Sequence, residues 1–101
     1  MPTKEKLIQD LKELTPDKWT SCMLHTSQGE YCGLGWILHK RGVSDEQLEQ
    51  WDVTPWEEMV VDVEDILDLT PQEIDDIISL NDASGDAAEA INDIVSIVLT
   101  T

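Results

Sequence analysis

From Ser44 to Thr101 the chain contains no lysine and no arginine. The same stretch carries 17 acids: Asp45, Glu46, Glu49, Asp52, Glu57, Glu58, Asp62, Glu64, Asp65, Asp68, Glu73, Asp75, Asp76, Asp82, Asp86, Glu89 and Asp93. Any fold must therefore set these like charges on the outside of a small body and still close a core beneath them. The first 43 residues hold all 6 bases and the other 5 acids, a net +1, which with −17 gives the formal charge of −16. A global adaptation such as halophilicity would spread acid over the whole surface. Here one part keeps ordinary lysines while the other is a polyanion whose self-repulsion costs stability. A basic partner would offset that cost.

Length bounds the rest. A chain of 101 residues is expected to form a single domain over 1–101, near-neutral over 1–43 and acidic and helical over 44–101. At 41% apolar it has enough hydrophobic side chains for one modest core. No apolar run approaches the ~18 residues of a membrane span. The opening Met1-Pro2-Thr3-Lys4-Glu5-Lys6 lacks the apolar segment of a signal peptide. The expectation is a soluble cytoplasmic protein, in the host cytoplasm if phage-encoded, with no membrane contact. Cys22 and Cys32 would then be reduced.

Periodicity points to helices. Leu7, Ile8, Leu11 and Leu14 lie on one face of a helix predicted over 4–14, with Thr3 as its cap. Ser27-Gln28-Gly29 reads as a tight turn and suggests a short β-hairpin between Trp19 and Cys32. A second helix follows Cys32, with Gly33 and Gly35 permitting close packing in its first turn and Gly42 at its end. Four start signals come next: Ser44 with Gln47, Thr54-Pro55, Thr70-Pro71 with Glu73, and Asp86 with Glu89. They predict helices over 45–51, 55–68, 71–80 and 86–99, the last with an apolar stripe of Ile91, Ile94, Val95 and Val98. Asn81 to Gly85 is expected as a loop. The fold class is mostly α, a single small helical domain with a short β-hairpin near its N-terminal third.

Several chemistries can be tested against spacing. Cys22-x2-His25-x6-Cys32-x6-His39 has the donor atoms for zinc, but the spacing fits none of the common finger patterns. The alternative is a buried Cys32, a hairpin Cys22 and surface histidines. Asn81 to Asp86 is rich in calcium-type ligands, but with Gly85 at loop position 6 an EF-hand would start at Leu80 and end on Ile91, so the pattern fails. There is no glycine-rich phosphate loop, no serine elbow and no HExxH. No cofactor, no metal and no catalytic residue is expected, and the chain is read as a non-enzyme.

Acids on the predicted helices fall opposite the apolar stripes. Glu58, Asp62 and Asp65 share a face at i, i+4 and i+7, flanked by Glu57 and Asp68, and Glu73, Asp75 and Asp76 extend the charge onto the next helix. A solvated helix normally mixes signs in i, i+4 pairs, and these helices have no base to mix. Seventeen charges match those on ~29 Å of duplex at one per ~1.7 Å. These eight acids, with Trp56 as an aromatic anchor, are the expected partner-binding set. Trp51 is a second candidate anchor, and Trp36 is assigned to the core.

Two segments are similar to motifs of a known family. Gly29-Glu30-Tyr31-Cys32-Gly33-Leu34-Gly35 looks like a Gly-x-x-Cys-Ala-x-Gly turn-then-helix motif, and Leu80-Asn81-Asp82-Ala83-Ser84-Gly85 looks like Asn-Asp-x-x-Gly before a capped helix. Together they resemble a family of small uncharacterised bacterial and phage proteins with no assigned function, over about Trp19 to Val98. Gly33 stands where that family has Ala, and Trp36 where it has a small residue. The resemblance implies a helical fold with a short hairpin and a mobile-element origin, and it carries over no site residue.

The leading expectation is a phage-type inhibitor that mimics nucleic-acid charge. It would block the basic cleft of a nucleic-acid-binding defence protein, such as a restriction or CRISPR effector, without itself binding nucleic acid. The alternative is a small regulatory or assembly module, such as a homodimer, acting through apolar helix contacts.

Overall fold

The start signals in the sequence become hydrogen bonds in the structure, a computed structural model that describes residues 4–21 and 23–100. Ser44 Oγ accepts from Gln47 N at 3.1 Å and opens α3, Asp45–Asp52. Thr70 Oγ1 accepts from Glu73 N while Glu73 Oε1 accepts from Thr70 N, a reciprocal capping box that starts α5, Pro71–Ala83. Asp86 Oδ1 accepts from Glu89 N at 2.8 Å and starts α6, Ala87–Ile94. These caps satisfy N–H groups that a helix leaves without partners. The predicted Thr3 cap of α1, Lys4–Lys12, lies outside the described residues.

Several boundaries differ from the sequence reading: α1 ends at Lys12 rather than Leu14, and the helix expected over 86–99 is α-helical only over Ala87–Ile94. α4 runs over Trp56–Leu67 and has no side-chain cap, because the Thr54 hydroxyl instead donates to Gln50 O at the end of α3. α5 continues through Asn81, Asp82 and Ala83, which were expected in a loop. It stops where the Ser84 hydroxyl donates to Leu80 O at 2.8 Å.

The expected hairpin is reduced to a tight turn. Thr26 N donates to Glu30 O at 2.9 Å, Gly29 takes φ +82°, and one antiparallel bridge joins His25 to Tyr31. A ladder does not propagate because the N–H groups of Leu24 and His25 are taken by the Asp52 carboxylate, at 2.8 and 3.4 Å. Tyr31 is held from its other side too: its N–H donates to Lys18 O and its carbonyl accepts from Thr20 N. The segment then enters α2, Gly33–Lys40, where the Cys32 Sγ accepts from Gly35 N. A Cβ on Gly35 would sit 1.9 Å from the carbonyl oxygen of Leu24, so glycine is required for α2 to lie against this loop.

α5 is the centre of the assembly. It packs against α2, α4 and α6, while α1 covers α2 and a π-helical turn, Val95–Leu99, that extends α6. Leu7, Leu11, Leu34, Ile37, Leu38, Leu48, Val63, Leu67, Ile74, Ile77 and Ile94 are fully buried in one core, joined by Trp36. Asp10 is buried too, bonded to the Arg41 guanidinium, and its carbonyl accepts from Trp36 Nε1 at 2.7 Å. Among the described residues no helix is long and apolar enough to cross a membrane. The molecule measures 29 × 28 × 22 Å.

Candidate functional site

α4 carries the largest share of the expected contact set, and its sequence explains its orientation. Met59, Val60, Val63 and Leu67 turn inward, which leaves Glu57, Glu58, Val61, Asp62 and Asp65 on the exposed arc. On α5, Ile74 and Ile77 are buried and Asp75 is exposed. Asp76 is half-buried and accepts from Gln72 Nε2 at 2.9 Å. Glu73 departs from the sequence reading. It is half-buried, committed to the Thr70 capping box and bridged by Lys4 of α1. Those partners hold its carboxyl below the ordinary value, the Lys4 bond most strongly. A lysine from the near-neutral part thus consumes one charge of the acidic part.

The acids also occupy positions that helix physics disfavours. α3, α4, α5 and α6 have no base in their last turns. α3, α4 and α5 carry Asp52, Asp68 and Asp82 there or at the C-cap, whereas α6 runs on into Val95–Leu99 and Asp93 is interior to that helical run. Helix C-termini are the negative ends of the macrodipole and favour cations by ~0.3–1 kcal/mol. Asp52 has a local task in binding the Leu24 and His25 amides. Asp68 caps α4 in the left-handed conformation, φ 55° and ψ 44°, a place that glycine fills with less strain.

Two concavities lie beside this surface. The broader one, ≈ 470 Å³, separates the α2–α3 corner from α4 and is lined by Val43, Gln47, Trp51, Asp62, Asp65 and Ile66 among others. The smaller one, ≈ 160 Å³, lies where the end of α3, the start of α4 and the end of α5 meet. Trp51 and Trp56, Met23 and Met59, and Asp52 and Asp82 are among its lining residues. Of the two candidate anchors, Trp51 is buried and Trp56 half-buried against the core. The remaining residues of this cleft had no joint signal in the sequence beyond the two tryptophans flanking Asp52.

Among the described residues His25, Cys32 and His39 are not gathered into one set of metal ligands. Cys32 is buried as the cap of α2, and burial pushes its thiol up to about 12. Cys22 lies outside the described residues. His25 is buried, not at the surface, and both histidines pack on Tyr31, with ring centroids 4.6 and 4.8 Å away. His25 Nε2 lies 3.7 Å from Glu49 and 3.8 Å from Asp45, and His39 Nδ1 lies 3.5 Å from Asp45. Among the described residues no group of three or more His, Cys, Asp or Glu could hold a metal ion. The cluster instead docks α3 onto the turn, and the Tyr31 hydroxyl completes it by donating to Asp45 Oδ1 at 2.7 Å.

No protein-family model, no curated protein and no solved structure matches the chain.

Proposed function

We propose that this chain is a non-enzymatic inhibitor that presents carboxylates in place of phosphates to the basic cleft of a nucleic-acid-binding protein. The observation that carries the reading is the acidic charge kept at the C-terminal ends of three successive helices, α3 to α5, where it opposes their dipoles and, at Asp68, strains the backbone. Violations of local stability rules concentrate where function demands them. Size supports the reading: 17 carboxylates equal the charge of ~29 Å of duplex, and the longest extent of the molecule is 29 Å. The mechanism is steric and electrostatic occlusion with fast, steered association. The contact set centres on Glu57, Glu58, Asp62, Asp65, Asp68 and Asp75, with Asp76 at the edge and Glu73 held by Lys4. A restriction or CRISPR effector is the kind of target such an inhibitor would serve.

The test is capture of the partner from a lysate of the source cell on immobilised protein, followed by separate salt and duplex-DNA elutions. The expected result is one nucleic-acid-binding protein displaced by DNA and held at least tenfold more weakly by Asp62→Lys/Asp65→Lys. A partner that ignores both DNA and the double substitution would replace this reading with an apolar one.

Four exposed large hydrophobics favour that second reading, an assembly module: Met23, Val53, Val61 and Ile97. Val61 sits among Glu57, Glu58, Asp62 and Asp65, so pairing two copies through this arc would oppose like charges. A sedimentation mass of twice 11.4 kDa would establish a homodimer.

A further inference from the structure

The small cleft at the junction of α3, α4 and α5 combines features that the acidic arc of α4 lacks. Its walls are aromatic and sulfur-bearing, from Trp51, Trp56, Met23 and Met59, with the neutral Cys32 thiol among the lining groups. Two of its lining side chains are carboxylates, Asp52 and Asp82, and none is a base. At ≈ 160 Å³ it resembles in size an apolar cavity of ~150 Å³ that holds one benzene-sized group. That is too small for a helix or a nucleobase with its sugar, and about right for the planar head of one side chain.

We propose that this cleft binds a single arginine side chain of the basic partner, the guanidinium lying against Trp56 and Trp51 and facing Asp52 and Asp82. The assignment rests on the function proposed above and deepens it, since it names the anchor within an otherwise diffuse charge contact. Three physical arguments select arginine. A guanidinium stacks on indole faces and is more weakly hydrated than an ammonium. Its aliphatic stem can lie on apolar rim atoms while the charge reaches acid. Met23, one of the lining residues, supplies such atoms and is 44% exposed. The third argument is charge, because the lining carries two carboxylates and no base. Burial already raises the Asp52 carboxyl above its ordinary value, against the pull of the Leu24 and His25 amides, so a cation brought beside it meets a partly desolvated anion.

The experiment titrates the full chain with N-acetyl-arginine amide and, in parallel, with the uncharged N-acetyl-citrulline amide, following the indole N–H signals of Trp51 and Trp56 by NMR. A hexa-arginine peptide is titrated separately by calorimetry at low and high salt. The proposal expects arginine but not citrulline to move both indole signals, and Trp56→Leu to weaken the hexa-arginine peptide about tenfold. Asp82→Asn, an exposed change on α5 that leaves the core intact, should weaken it several-fold. Equal shifts by citrulline would overturn the cation assignment and leave an apolar cleft. Salt-sensitive hexa-arginine binding that survives both substitutions with silent indoles would overturn the cleft while leaving the acidic reading in place. Failure of hexa-arginine to bind the unmodified chain at low salt would remove both.

Discussion

Asn81 is polar, has no accessible surface, and lies in the middle of the core. Its Oδ1 accepts from Trp19 Nε1 at 2.8 Å and from Gly33 N at 2.9 Å, and its Nδ2 donates to Thr20 O at 3.2 Å. One amide thus ties α5 to the entry segment and to the first turn of α2. Asn81→Asp keeps the shape but sets a buried anion against the Thr20 carbonyl. We expect a loss of ~3 kcal/mol at neutral pH, the scale of a broken buried polar network. Burial raises the folded pKa of such a group, so the deficit relative to the parent should shrink as pH falls and the carboxyl protonates. Denaturant midpoints of the two proteins across the acid range would show it, and a pH-independent difference would count against the account. Tyr31 gives a second residue-scale test, since it is the single tyrosine of the chain. Burial first, then the bond to Asp45, pushes its phenol up to about 12 from 10. A raised folded pKa means that its stabilisation is whole below about 10 and disappears as pH rises through about 12. Phenolate absorbance should therefore titrate near 12 in the native chain, and lower in Asp45→Asn. A midpoint near 10 would place the ring in solvent.

At the scale of the element, α4 shows how charge and stability conflict. Its inward face of Met59, Val60, Val63 and Leu67 was legible from periodicity alone, because one turn of helix brings residues three and four apart to one side. Its end was not, because the left-handed Asp68 is a matter of backbone geometry that sequence spacing does not carry. Asp68→Gly removes both the strained φ and a like charge at the dipole's negative end. It should stabilise the chain by about 1 kcal/mol. That corresponds to a rise of ~4–8 °C in thermal midpoint for a domain of this size. An unchanged or lower midpoint would mean that the Asp68 side chain stabilises the corner. The same substitution should weaken partner binding if Asp68 belongs to the contact set. The turn from Leu24 to Tyr31 illustrates the opposite limit: its strand-like pattern yields one bridge because a distant carboxylate, Asp52, claims the amides a hairpin would use.

For the whole molecule the charge of −16 sits within 29 × 28 × 22 Å. At 0.01 M salt the Debye length is ~30 Å and every acid feels every other, whereas at 0.1 M it is ~10 Å and only neighbours interact. The thermal midpoint should accordingly climb by several degrees, about 5 °C, between those ionic strengths. A basic partner should raise it further at low salt. A midpoint insensitive to salt would show that the carboxylates are already compensated within the fold. The direction of the salt effect on binding is opposite, since screening weakens a charge-mediated complex, and the two measurements together separate self-repulsion from recognition.

By itself the sequence determined the helices, their inward faces and the one-sided charge. Those follow from local rules: capping hydrogen bonds span three residues, helical faces repeat every three to four, and a segment without lysine or arginine cannot neutralise itself. Tertiary structure alone decided what lies together across long separations. It carried Asn81 to Trp19 and Gly33, 62 and 48 positions away. It brought Lys4 to Glu73, buried the histidine once read as exposed, and gathered Trp51, Trp56, Asp52 and Asp82 around one cleft. Such contacts form when the core closes and each side chain meets whatever the packing of α5 against its neighbours presents, a relation that no local spacing encodes.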